Sequence, residues 1–361
     1  MIFTNDQVLA ALSHVEEPDL KKDLVTLNMV ENISCTETTI AFTIILTTPA
    51  CPLKKVIEDA CRKAIHDYID PNVLVEVGMT SRVTSANKND MFPNIRNIIL
   101  VSSGKGGVGK STVAANLALA LSKKGAAVGL IDADIYGPSI PIMFEVEGAK
   151  PKGTMVDGKS KILPIEKYGI KLLSIGFFSS PGQPIPWRGP MVSTAVKQLF
   201  NDADWGELDY LIVDLPPGTG DIHITVAQTF PITGAVIVTT PQKVSLADTA
   251  KGIGMFLMDA IHVPVLGLVE NMAYFTPDEL PENKYYIFGK SGGKLLSQQF
   301  DIPLLEEIPL FAGIAESGDQ GAPIVLNENH PGAAIFMRLA EKVAQQVAIK
   351  NSIITPEKAP A

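Results

Sequence analysis

The chain has 361 residues, 46% of them apolar and 19% charged, with a net charge of −9; that composition excludes a disordered chain, and the length exceeds what one hydrophobic core usually serves, so two domains are expected. Acidic residues are spread along the sequence, with thirteen acidic against nine basic side chains in residues 1–96, so no basic stripe marks a nucleic-acid binder. No apolar run is long enough to cross a membrane and the start, MIFTNDQVLAAL, lacks the basic region of a signal peptide, so a cytoplasmic protein without nucleic-acid or membrane partners is expected.

In chain order, residues 6–14 predict a short helix. Residues 25–33 and 39–47 predict two strands that pair as a hairpin. Residues 52–68 predict a helix with Pro52 in its first turn, and 73–77 a third strand. Residues 1–80 thus form a small α+β domain. Residues 81–96 are polar and aperiodic and predict a linker. From residue 97 the pattern alternates. Apolar strands are expected at 97–102, 127–131, 171–175, 209–214, 234–239 and 264–270, with a weaker one at 303–308. Helices are expected at 110–124, 190–202, 245–260 and 331–348. Alternation with near-continuous apolar strands predicts an α/β domain over 97–350, a parallel sheet with helices on both faces, followed by a tail at 351–361. Residues 141–168 form an insertion rich in Gly, Lys and Pro to which no role is assigned. Ligands of such sheets bind at the carboxyl ends of the strands, so the loops there carry the chemistry.

One of those loops reads GKGGVGKST, residues 104–112. Residues 104–111 fit G-x-x-x-x-G-K-[ST], the phosphate-binding loop, and sit between a predicted strand and a predicted helix as that motif requires. Gly104, Gly106, Gly107 and Gly109, with Val108 between the last two, let backbone N–H groups turn toward phosphates. The helix beginning near Lys110, Ser111 and Thr112 adds its positive end. Lys110 is expected on the β- and γ-phosphates and the Ser111 hydroxyl on Mg²⁺. Two more strands end in acids. Asp214 follows the apolar run YLIV and has the form of a Walker B acid, holding Mg²⁺ directly or through water. Asp132 and Asp134 close strand 127–131. Asp134 is positioned to orient an attacking water, and Asp132 is open between helix cap and function. The segment LPPGTGD, ending at Asp221, has the glycines of a loop that senses the γ-phosphate.

GKGGVGKST, DADIYGPS, LIVDLPPGTGD and GLVENMAYF together resemble the Mrp/ApbC family of iron–sulfur cluster carrier ATPases. That family lies in the deviant Walker A branch of P-loop proteins, alongside MinD, ParA and nitrogenase iron protein. Residues 1–80, with TTPACP, resemble the small SufT-like domain often found ahead of Mrp ATPase domains. The resemblance gives the second lysine of the loop a role. It implies that Lys105 is the signature lysine, which in a homodimer closed by ATP reaches the phosphates bound by the facing subunit. Physically that is a charge supplied in trans, as an arginine finger supplies one. The resemblance further implies that Asn271 meets the adenine edge, that the nucleotide is ATP, and that the partners are assembly factors and apo iron–sulfur proteins. Arg188, in WRGP, also matches the family, without an assigned role.

The sequence departs from the family at one place. Cluster-carrying members usually place C-x-x-C after the ENM segment; here the chain reads TPDELPE over residues 276–282, and no cysteine follows Cys61. Carboxylates match an iron–sulfur cluster poorly. The five histidines (His14, His66, His223, His262 and His330) have no metal-binding spacing. Cys35 and Cys61 read as small core residues. Cys51, at a predicted helix start, is either a helix cap or a reactive thiol, and it is the one cysteine offered as a cluster ligand. The principal expectation is an ATP-hydrolysing carrier or scaffold for iron–sulfur clusters. The alternative is a MinD/ParA-like positioning ATPase, disfavoured because the tail AIKNSIITPEKAPA forms no basic amphipathic helix.

Overall fold

The computed structural model describes residues 3–85, 91–156, 158–178, 189–277, 280 and 282–354. The chain divides into two compact units, residues 1–87 with 344–361, and residues 88–343.

In the first unit α1 (Asn5–Leu12) opens on a capping box, the Thr4 hydroxyl accepting from the Gln7 N–H while the Gln7 side chain accepts from the Thr4 N–H. Short strands β1 (Glu16–Glu17) and β2 (Lys22–Asp23) pair antiparallel. The main sheet runs β3 (Val30–Cys35), β4 (Thr39–Leu46), β5 (Leu74–Ser81), with β3–β4 antiparallel and β4–β5 parallel. Helix α2 (Lys54–Tyr68) provides the crossover that a parallel pair needs. Its Ile57, Cys61, Ala64 and Ile65 are buried, spaced to face the sheet, and join a core with Leu12, Ile40, Phe42 and Ile44.

The expected strand over 25–33 is displaced. Asn28 and Asn32 take left-handed backbone (φ +52° and +53°), so residues 25–29 turn and the strand begins at Val30, with a bulge between Glu31 and Ser34. The linker also begins later than expected. Residues 82–85 stay in the first unit, where Val83 is buried and Asn351 donates its side-chain amide to the Thr84 carbonyl at 2.9 Å.

The second unit is built on an eight-stranded sheet. Its strands in chain order are β6 (Ile95–Ser103), β7 (Val128–Asp132), β10 (Ile165–Lys167), β11 (Ile170–Ser174), β12 (Leu208–Asp214), β13 (Gly234–Thr239), β14 (Val265–Phe275) and β15 (Leu304–Leu310). Their spatial order is β10-β11-β7-β12-β6-β13-β14-β15, and all pairs are parallel except β10–β11. That edge strand is a hairpin returning through Tyr168 and Gly169, both at positive φ, as a tight hairpin turn requires. Flanking helices are α3 (Lys110–Lys123), α5 (Gly189–Asn201), α6 (Asp221–Thr229), α7 (Lys243–Leu257), α8 (Gly292–Phe300), α9 (Ala312–Asp319) and α10 (Pro331–Ile354), whose end belongs to the first unit; α4 (Ile140–Met143) is a single turn. The expected α/β architecture is observed.

Part of the insertion at 141–168 is a second hairpin, β8 (Lys152–Val156) with β9 (Lys159–Leu163). It docks through Ile162, whose N–H and carbonyl bond the backbone at Asp202 and Asp204. Helix α3 is buried on more sides than its apolar stripe predicts. Asn116, inside it, accepts from the Val325 N–H at 3.1 Å, satisfying a polar group that burial would otherwise penalise.

Candidate functional site

The loop over 104–111 joins β6 to α3 at the carboxyl end of the sheet. Two glycines of the loop are required by geometry. Gly109 sits at φ +81°, where a Cβ would fall 2.2 Å from the Asn271 amide. A Cβ on Gly104 would fall 2.3 Å from the backbone of Asp248 in α7. The loop therefore nests between α7 and the end of β14. Asn271 is buried and donates its amide to the Val108 carbonyl at 2.8 Å, so in this structure it braces the loop. Its position follows from a bulge in β14 after Asn271, where Met272 takes φ +54°.

Neighbouring strand ends bring the acids together. In register, Ser174, Asp132, Asp214 and Val101 lie side by side across β11, β7, β12 and β6. Lys110, itself buried, donates to Asp214 Oδ1 at 2.6 Å, reaches Ser111 Oγ at 3.2 Å and lies 3.8 Å from Asp134 Oδ2. Asp132 accepts from the Asp134 and Ile140 N–H groups and from the Ser174 hydroxyl. Burial and the neighbouring Asp214 carboxylate push Asp132 up to about 7, against those donors and Lys110. Burial also raises Asp214 and Asp134, with Lys110 opposing in both cases. Asp132 thus serves locally as a cap for the turn at Ile140, while Asp214 is the direct partner of Lys110.

Lys105, Gly106, Gly107, Gly109, Lys110, Ser111, Thr112 and Asp134 line one cleft of about 280 Å³. Asp214 lies beneath it, fully buried, and its Oδ2 has no hydrogen-bond partner among the described residues. An orphaned carboxylate oxygen beside a serine hydroxyl is a hard-oxygen donor set suited to Mg²⁺. Lys105 is exposed, and no ion pair holds it among the described residues. The loop after β12 is tethered by the Leu215 N–H to the Val101 carbonyl and the Gly218 N–H to the Ser103 carbonyl. It is therefore anchored to the strand that leads into the phosphate loop.

Sequence reasoning missed Ser174, whose only signal was its place at a strand end, and Glu270. The latter is fully buried against the start of α8. A Cβ on Gly293 would fall 2.9 Å from its carboxylate, and burial raises its pKa, with the Gly293 and Gly292 N–H groups opposing.

The thiols lie elsewhere. Cys61 is in the core of the first unit, its thiol pushed up to about 12 by burial. Burial also raises Cys35. Cys51 is half-buried. Helix α2 starts at Lys54 with Leu53 as its cap, so Cys51 precedes the cap and is not itself one. Trp187 and Arg188 lie outside the described residues, as do Asp278, Glu279 and Pro281 of the segment replacing C-x-x-C. Among the described residues no group of three or more His, Cys, Asp or Glu side chains could hold a metal ion, and no helix is long and apolar enough to cross a membrane.

A phosphate loop backed by strand-end acids on a parallel sheet defines a P-loop nucleotide-binding protein. The profile of the NUBPL iron-transfer P-loop NTPases matches residues 94–344, and that of an iron–sulfur cluster assembly protein domain matches residues 5–77. An iron–sulfur cluster carrier protein of Synechocystis is 45% identical over 98% of this chain and 99% of its own. One from Deinococcus radiodurans is 44% identical over 99% of both chains. In solved structures, a nucleotide-binding protein from Archaeoglobus fulgidus in complex with ADP matches with a TM-score of 0.57 at 38% identity, over 67% of this chain and 92% of that one. The chain belongs to the NUBPL iron-transfer P-loop NTPase family.

Proposed function

We propose that this chain is an ATP-hydrolysing carrier or scaffold that binds iron–sulfur clusters and transfers them to apoproteins, working as a homodimer closed by ATP. One observation carries the nucleotide half: Lys110 is held 2.6 Å from Asp214 and 3.8 Å from Asp134 at the base of the loop. When the phosphates arrive, Lys110 exchanges its carboxylate partners for phosphate oxygens. The freed Asp214 and the Ser111 hydroxyl are then the ligands for Mg²⁺, which supplies charge neutralisation at the β- and γ-phosphates. The loop N–H groups bind the phosphates, Thr112 flanks them, and Asp134 orients the water. Lys105, exposed at the rim, supplies its charge to the facing subunit. That is the function an unpaired, projecting cation on a glycine-rich loop can perform. Asn271 positions the loop and, by family resemblance, reads adenine.

The cargo half rests on the named carrier relatives and on the assembly domain at the amino terminus. With no cysteine after Cys61, the thiolates available to a cluster lie in residues 1–80. Cys51 is the proposed ligand: it lies half-buried ahead of α2, whereas burial holds Cys61 and Cys35 toward the thiol, the form that does not ligate. The test is anaerobic purification with iron and sulfide analysis beside an ATPase assay. Turnover with cluster bound supports the reading; neither activity would refute it.

A further inference from the structure

A second cavity, of about 450 Å³, adjoins the phosphate cleft and shares Asp134 and Pro217 with it. Its wall is formed by Asp134, Tyr136, Pro216, Pro217, Asp221 and His223. His223 stands on the first turn of α6, directly after the tethered glycine loop, and is only 1% exposed. Neither ring nitrogen has a hydrogen-bond partner among the described residues. The Phe256 ring lies beside it with centroids 6.4 Å apart. Leaving a buried polar group unpaired costs about 1–3 kcal/mol. The cavity it lines has room for water, whose share of liquid volume is about 30 Å³, so a water molecule could serve the ring nitrogens.

We infer that this cavity holds the water consumed in hydrolysis and that His223 is a positioning residue which anchors that water, or the chain leading to it, opposite Asp134. The inference rests on the ATPase reading above. Burial lowers the imidazole to about 4, although the carbonyls of Gly220 and Pro216 favour its charged form. It is therefore neutral at physiological pH and can accept a hydrogen bond on one nitrogen while donating from the other. In the step itself the water oxygen bonds to the γ-phosphorus. The bond from that phosphorus to the bridging oxygen breaks, its electron pair leaving on ADP. One water proton stays on the phosphate and the other leaves past Asp134 to solvent. His223 changes no bond; it fixes where the oxygen waits, and misplacement of a reactant by about 1 Å can cost a factor of about 100.

The experiment compares steady-state ATP turnover with calorimetric nucleotide affinity in the full-length protein. His223→Leu should lose turnover about 10- to 100-fold while affinity for a non-hydrolysable ATP analogue stays unchanged. His223→Gln, which keeps a hydrogen-bonding side chain, should retain more, and added imidazole should restore part of the turnover of His223→Ala. Should His223→Leu not fold, Gly137→Leu serves. Gly137 lines the cavity and has open space where its side chain would grow, so the added bulk displaces water and should lower turnover in the same way. Wild-type turnover in His223→Leu or Gly137→Leu, or loss of affinity in step with turnover, overturns the inference. Absence of turnover in the wild type overturns the ATPase reading, and this inference with it.

Discussion

The phosphate loop and the cysteine-bearing first unit answer their ligands in opposite ways. At the loop, charged groups are buried but matched: Lys110 lies against Asp214 and Asp134, and Asp132 is held by three donors. A phosphate ligand replaces contacts that are already shaped for charge. In the first unit, burial opposes the form a metal cluster needs, since Cys61 sits near 12 and Cys35 is raised, and only the thiolate ligates. On the proposed reading, the phosphate loop is a site that needs only a facing Lys105 to complete it, and the first unit holds one that needs ligands from other molecules.

The sharpest way to break the comparison is at Lys110. Lys110→Ala removes the main positive charge on the β- and γ-phosphates and leaves Asp214 facing them, so nucleotide affinity should fall more than about a hundredfold. Tight ATP binding retained in a calorimetric titration would mean that the cleft does not work as described. Lys105→Ala acts on the other side of the argument. It should leave binding near normal while lowering turnover about a thousandfold, the lower end of what a trans cation contributes, and ATP-dependent dimers should vanish from light scattering. Normal dimers at normal turnover would remove the trans role. Asp134→Asn should preserve binding and slow single-turnover hydrolysis about a hundredfold; an unchanged rate would free Asp134 from the water.

How much of this was legible in the sequence depends on whether a feature was written in spacing or in packing. The loop glycines and Lys110 obey a fixed spacing, and Asp132 and Asp214 end apolar runs, so they were visible. By contrast α8 starts on two glycines, Gly292 and Gly293, which disfavour a helix. Helix α9 buries no residue, so it carries no apolar period to detect. The strand near residue 30 was misplaced because Val25 and Leu27 contribute to the core from turns rather than from a strand. Neither the unpaired ring nitrogens of His223 nor the brace from Asn271 to Val108 has any sequence signature, because both depend on how segments pack at the carboxyl end of the sheet.

A smaller effect sharpens the picture of the buried site. His223 has a folded-state pKa near 4, below the unfolded value of 6.5. Between those values the unfolded chain binds the extra proton, so the stability that a neutral His223 contributes is present above pH 6.5 and is lost as pH falls toward 4. Going from pH 7 to 5 should cost about 2 kcal/mol through this group. Asp132, raised to about 7 from 3.8, works the other way, gaining stability over the same range. The signature is therefore differential: His223→Gln should lose less melting temperature between pH 7 and pH 5 than the wild type does. Equal losses would mean that the histidine is not buried and neutral.

The central claim is that nucleotide chemistry is built into the second unit while cluster ligands must come from thiols of the first, completed by other molecules. One thiolate per chain gives two per dimer, too few for a four-ligand site, so the missing positions stay exchangeable. The direct measurement is iron and sulfide per dimer after anaerobic reconstitution, for wild type, Cys51→Ser and a variant altered in residues 276–282. The account predicts a substoichiometric cluster that chelators strip, that Cys51→Ser abolishes and that changes in 276–282 leave alone. A stable, fully occupied [4Fe–4S] cluster that survives Cys51→Ser would contradict it.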